Sequence, residues 1–367
     1  MQTLTESAFR RPPIRLLLFA AAAFLLGSLL PPLVIGQMKP LPEDLRESFA
    51  SRPADTVMLA PAALESGTVP EENRDRPGCG AGTFPEVDYS CLVVETTTHR
   101  DLQVGTAAAE ESGEVEVRAT TRLLEGETVL AEVRDSLRVD RRSTYPVADP
   151  VSRVETSVTG LAGDAASTGP FVREGLQYFF PFPPERRSYP RHDVIAGQPL
   201  LLDYVGEVQR GGLETFEFHH TFTALPLADP DDNRPRPAEP EDGGPDPVQA
   251  LDRLGMGSPW YAVDRTVWVE PKSGTLVDVE ERTHIYFAAD RSEAEERAFD
   301  PAPEFTVLHT TSAWDDGTLT RQHDKAAGVV SSLRALQILA VVLKAAALAA
   351  VIWAVVLLLQ ERRGQPS

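Results

Sequence analysis

Tyr178, Phe180, Phe182, Arg186, Arg187 and Tyr189 crowd into LQYFFPFPPERRSYPRHD, a short stretch of rings followed by cations. Aromatic faces backed by guanidinium groups suit a lipid or glycan with a negative headgroup, the rings covering its apolar part and the cations its charge. The same residues would equally make an irregular crossover whose rings plug a sheet. Cys79 and Cys91, the only cysteines, lie far upstream in RPGCGAGTFPEVDYSC. With no Cys-x-x-Cys pair or neighbouring histidine, they do not read as a zinc site. In an oxidising compartment they would close a small loop worth roughly 3 kcal/mol, and otherwise they are two separate thiols.

Other chemistry is hard to build from this sequence. His219 and His220 are adjacent, so on a strand they point to opposite faces and form no local metal pair. There is no Gly-x-Ser-x-Gly elbow, Walker loop, Gly-x-Gly-x-x-Gly turn or EF-hand, and GCGAG at 78–82 begins no helix. No catalytic residue, metal or cofactor is expected, and the chain reads as non-enzymatic. Its net charge of −20, from 35 Lys and Arg against 55 Asp and Glu, excludes a phosphate-binding surface for nucleic acid. That acidity keeps an exported domain soluble, or serves a basic partner.

The elements that would position these residues begin with two apolar runs. Ile14–Ile35, IRLLLFAAAAFLLGSLLPPLVI, is long enough to span a bilayer as a helix. Arg10, Arg11 and Arg15 precede it, which holds the N-terminal tail (1–13) in the cytoplasm, and no Ala-x-Ala-like cleavage site follows. The second run, 335–359, is followed by Arg362 and Arg363 and is interrupted by Lys344. A lysine nearer one end of a span either extends its ammonium to the headgroups or meets a partner in another helix. The expected topology has two spans, both tails (1–13 and 360–367) inside, and residues 36–334 outside.

The outer region reads as strands. CLVVETTTHRDLQV, EVEVRATTRLLEG and TVLAEVRDSLRVD alternate apolar with polar residues, with Gly126-Glu127 as a turn between the last two. LLLDYVGEVQRGGLETFEFHHTFTAL carries a hairpin signature at Gly211-Gly212, and TVWVEPKSGTLVDVEERTHIYF another at Pro271–Gly274. A last pair is expected to bracket Asp315-Asp316-Gly317, and residues 38–61 read as a stalk with a short helix. The Pro- and Asp-rich stretch 226–247 cannot bury a core and reads as a flexible acidic insert within one sheet. The fold class expected is therefore mainly β: an antiparallel, hairpin-rich, curved extracytoplasmic sheet between two transmembrane helices.

In order and content, LPPLVIGQMKPLPEDL, RVDRRSTYPV, GLQYFFPFPPERRSYPRHD, YVGEVQRGGLETFEFHH and RTVWVEPKSGTLVDVEE resemble the actinobacterial porin PorA family over essentially the whole chain. The stretch 175–193 carries the most specific part of the likeness. The resemblance implies an integral cell-envelope protein and brings no catalytic residues with it. A lipid-facing barrel is not expected, because the strands carry Glu207, Arg210, Glu214, Glu280, Glu281 and Arg282. The hairpin VWVEPKSGTLVDVEE is also similar to one in periplasmic lipoprotein-carrier domains, which hold acyl chains. The function expected is to bind or organise an envelope lipid, glycan or protein; the alternative is a part in a pore or translocation assembly. Partners would be the bilayer through both ends, such an envelope component, and further copies of the chain.

Overall fold

The computed structural model describes residues 12–159, 166–227, 251 and 254–363. Two compact units emerge, one within residues 1–40 and 327–367, the other Leu41–Ala326. In the first unit, α1 (Pro12–Met38) meets the later part of α4 (Asp316–Arg363). Both helices are long and apolar enough to cross a membrane. Their contact is made by small side chains, Ala20 and Ala23 against Ala347 and Ala350. A Cβ on Gly27 would lie 3.0 Å from the Ala340 carbonyl oxygen and 3.0 Å from Leu343 Cβ, so the helices approach closely there because glycine permits it. The large residues Phe19, Leu25, Ile352 and Trp353 point outward.

The second unit is one 13-stranded antiparallel sheet. Its strands are β1 (Arg46–Ala50), β2 (Ala54–Leu59), β3 (Val93–Ala108), β4 (Glu114–Glu125), β5 (Thr128–Asp140), β6 (Arg153–Val158) and β7 (Ala166–Ser167). They continue with β8 (Tyr189–Asp193), β9 (Gln198–Arg210), β10 (Leu213–Pro226), β11 (Ser258–Val269), β12 (Leu276–Ala288) and β13 (Thr306–Ala313). The order is β7-β6-β5-β4-β3-β2-β13-β12-β11-β10-β9-β8, with β1 also paired to β3. Short helices α2 (Pro61–Ser66) and α3 (Arg291–Arg297) sit between strands. The hairpin turns fall where expected: Gly126-Glu127 joins β4 to β5, and Gly211-Gly212, both at positive φ, joins β9 to β10.

Two expectations are corrected. Residues 38–61 hold β1 and β2 rather than only a stalk: Arg46–Ala50 pairs with Asp101–Gly105, and Ala54–Leu59 with Val93–Thr98. The segment after Asp316 is helix, not the second strand of a pair. Its first turn is capped by Asp315, whose Oδ1 accepts from the Thr318 N–H at 2.7 Å and whose carbonyl accepts from Leu319 at 2.9 Å. That satisfies the donors a new helix leaves open, and the helix then runs on to Arg363. The acidic insert 226–247 lies, from 228 on, outside the described residues. The strands on either side of it, β10 and β11, are direct neighbours.

The sheet folds over on itself. β3 and β12 are separated by β2 and β13, which in a flat sheet is about 14 Å, yet Arg100 and Glu281 bond at 2.7 Å. The inner face carries two apolar clusters, one around Val104, Val115, Val117, Leu137 and Trp314, the other around Leu176, Tyr189, Leu202, Phe218 and Val267. Leu276 and Val279 pack against both. The crossover between β7 and β8 threads this interior, tied to β8 by a bridge between Leu176 and Arg191. Gly274 makes the threading possible: a Cβ there would meet the Pro181 carbonyl oxygen at 2.7 Å. Cys79 and Cys91 are bonded, Cα to Cα 5.4 Å, and belong to a separate cluster that includes Tyr89 and Phe287.

Candidate ligand cavity

Charge interrupts the apolar interior face in two places. His220, Arg265, Glu281 and Ser312 stand directly opposite one another on β10, β11, β12 and β13. Arg265 shares the face of Tyr261, Val263, Val267 and Val269, so strand alternation drives a guanidinium into the core. It donates to Asp193 Oδ2 at 2.8 Å and to Glu281 Oε2. Asp193 also accepts from the Tyr261 hydroxyl at 3.2 Å and, through Oδ1, from the Ile195 and Ala196 N–H groups at 3.0 Å each. Burial opposes ionisation of Asp193 and Glu281, but Arg265, joined by Arg100 at Glu281, holds both below the usual carboxylate range.

A second buried pair lies across the crossover. Arg173 grips Asp135 through two nitrogens, at 2.8 and 2.5 Å, and Asp135 Oδ2 accepts from the Tyr178 hydroxyl at 2.6 Å. Because Tyr178 donates its proton there, the Gln177 amide N–H is what Tyr178 can accept, which leaves Gln177 Oε1 buried without a donor.

Between the two charged groups is a cavity of about 100 Å³. Phe49, Leu102, Val104, Leu276, Val279 and Trp314 give it apolar walls, and Gln177, Tyr178, Arg100, Arg191 and Glu281 its polar part. The Arg191 side chain has no hydrogen bond or ion pair among the described residues. Burial, and the like charge of Arg265, bring it down to about 10, which leaves it a cation at neutral pH. His192 and His220 are pushed down to about 3 by burial, with Arg173 and Arg265 respectively adding to it, and are neutral. Within the cavity's wall Phe49 stacks on Trp314 at 5.1 Å, and the wall is tied to the first turn of α4, where Ala50 N–H donates to Thr318 Oγ1 at 2.9 Å.

The six residues singled out from the sequence divide. Tyr178 lines the cavity. Phe180 and Tyr189 are buried in an apolar cluster with Phe218, and Phe182 is half-buried. Arg186 is exposed, pairs with Glu207 and lies over Phe216, while Arg187 is exposed over the Tyr189 ring at 4.6 Å. Lys344 is exposed on α4, its stem close to Gly27. Sequence reasoning missed Arg191, Arg265 and Gln177. The available signal was parity, since Arg191 shares a face with Tyr189, and Arg265 interrupts an otherwise apolar face of β11. Among the described residues no group of three His, Cys, Asp or Glu side chains could hold a metal ion.

An antiparallel β domain with a charged interior, set between two apolar helices, defines the class: a helix-flanked β protein, not a closed strand barrel, since β7 and β8 end the sheet unpaired to each other among the described residues. The family model described as Porin PorA matches residues 13–356, nearly the whole chain, and the chain belongs to that family. A protein named Porin PorA from Corynebacterium amycolatum is 28% identical over 358 residues, covering 87% of this chain and 90% of the relative. Another of that name, from Corynebacterium resistens, is 26% identical over 375 residues, covering 87% and 89%.

Proposed function

We propose that this chain is a non-enzymatic cell-envelope protein, fixed in the membrane by two spans with both tails inside, whose outer β domain binds an envelope component. The observation that carries the reading is the cavity within the folded-over sheet. It brings an arginine with no bonded carboxylate beside apolar walls, the pairing of charge and hydrocarbon that suits a binding site. Two long apolar helices and the disulfide of Cys79 and Cys91 support the placement.

Topology is tested by introducing Thr3→Cys, Ser112→Cys and Ser367→Cys singly into the otherwise unchanged chain and applying an impermeant thiol reagent to intact cells. Ser112 is exposed in the β3–β4 turn. Labelling at position 112 alone is expected. Labelling at 3 and 367 with none at 112 would put the β domain inside and end the proposal.

A second reading, participation in a pore, rests on the name borne by the relatives and on Lys344, an exposed cation on an apolar helix. It predicts that the purified chain conducts in a planar bilayer and that Lys344→Leu abolishes the current. A silent wild-type chain removes this reading and leaves the first untouched.

A further inference from the structure

The charges around the cavity do not balance. Arg100, Arg191 and Arg265 face Asp193 and Glu281, three cations against two anions. Arg265 bonds both carboxylates and Arg100 bonds Glu281 at 2.7 Å, so the uncompensated charge falls on Arg191. The neighbouring Arg173 is neutralised by Asp135, and His192 and His220 are uncharged. Arg191 is half-buried, and a guanidinium held in a confined site with no carboxylate bonded to it is served by a single anion. Beside Arg191, Gln177 also lines the space and is nine-tenths buried. Apart from Arg100, Glu281, Tyr178 and two serines, the remaining walls are hydrocarbon and the Trp314 ring.

We infer that the cavity binds a monoanionic headgroup carried on an apolar chain, with the anion on Arg191 and the first methylenes against Leu102, Leu276 and Trp314. The inference rests on the reading of the β domain as a binding domain and names what it takes. A volume of about 100 Å³ admits a headgroup and the start of a tail, with the rest of the chain passing out along the apolar wall. A dianion would leave the site negative by one charge. A cation would face two arginines. A neutral alcohol would accept a hydrogen bond from Arg191 but leave its charge uncompensated. Arg186 and Arg187, the more conspicuous cations in sequence, are exposed and already hold Glu207 and Glu185.

The test uses the full chain in nanodiscs of zwitterionic lipid, titrated with octanoate, dibutyl phosphate, octanol and octyltrimethylammonium while tryptophan fluorescence and the melting midpoint are followed. Octanoate or dibutyl phosphate is expected to shift both, the alcohol and the ammonium neither. Whichever anion binds more tightly tells whether a carboxylate or a phosphodiester is the natural head. Arg191→Gln is expected to weaken anion binding about tenfold or more, Arg191→Lys to restore part of it, and Arg186→Gln to leave it unchanged. Should Arg191→Gln fail to fold, the comparison of the four probes on the wild-type chain still decides. Equal binding of octanol and octanoate, or no binding of either anion, overturns the inference. Outward labelling at position 112 with no anion binding would sink the ligand class alone, whereas inward labelling would sink the function it rests on.

Discussion

Arg265→Met is expected to destabilise the β domain by about 3–5 kcal/mol, the range found when one member of a buried ion pair is removed and its partner stays charged. The arginine side chain is 6% exposed, and its partners Asp193 and Glu281 are 2% and 7% exposed, so water cannot take over its role. Arg100, at 27%, is left to neutralise Glu281, and Asp193 keeps only the through-space attraction of Arg191, with no guanidinium bonded to it. Asp193 also fixes the β8–β9 turn through Ile195 and Ala196, so losing its counter-charge loosens the register of two strands. In a thermal melt of the full chain the midpoint should fall by on the order of 10 °C. Pairing Arg265→Met with Asp193→Asn should recover part of the loss, because the second change removes the stranded charge. A midpoint within a degree or two of wild type would mean that the buried network contributes little to the fold.

Acid should unfold the domain well above the ordinary carboxylate range. Burial pushes His192 and His220 down to about 3 and His284 to about 4, against 6.5 for a free imidazole. A depressed folded pKa means that below pH 6.5 the unfolded chain takes up protons that the folded chain refuses. The stability these histidines supply is therefore complete above about pH 7 and drains away as pH falls toward 3–4. Each contributes about 1.4 kcal/mol per pH unit in that window, so three give at most about 4 kcal/mol per unit. Asp193 and Glu281 act in the same direction, since carboxylates held below their usual range lose their contribution as they are protonated. Urea midpoints measured from pH 8 to pH 5 should be level down to about 7 and then drop steeply. His220→Phe, a ring of similar bulk with no proton to gain, should shallow the drop. A flat profile to pH 5 would show that these imidazoles are not held neutral.

Much of this protein is determined by local sequence. Unbroken apolar runs make the two long helices, because a helix that satisfies its own backbone needs no partner to declare it. Alternation makes the strands, and Gly126, Gly211 and Gly274 set their turns, because period two and positive φ are properties of neighbouring residues. The same local logic reached the aromatic crossover, although it ranked Arg186 and Arg187 with Tyr178. It went astray where local signals are weak: β1 and β2 are short, interrupted by Pro53, and become strands by pairing with β3. After Asp316, an Asp-Asp-Gly that reads as a turn is instead a helix cap anchored on Ala50. The cavity was beyond sequence reading altogether. Arg100 meets Glu281 across 181 positions of chain, and Arg173 meets Asp135 across 38, only because the sheet folds over and the crossover runs through it. Alternation tells which side of a strand a residue takes, but not which two sides of a sheet will face each other. That choice, made by packing the whole domain, leaves Arg191 charged and unpaired beside an apolar wall.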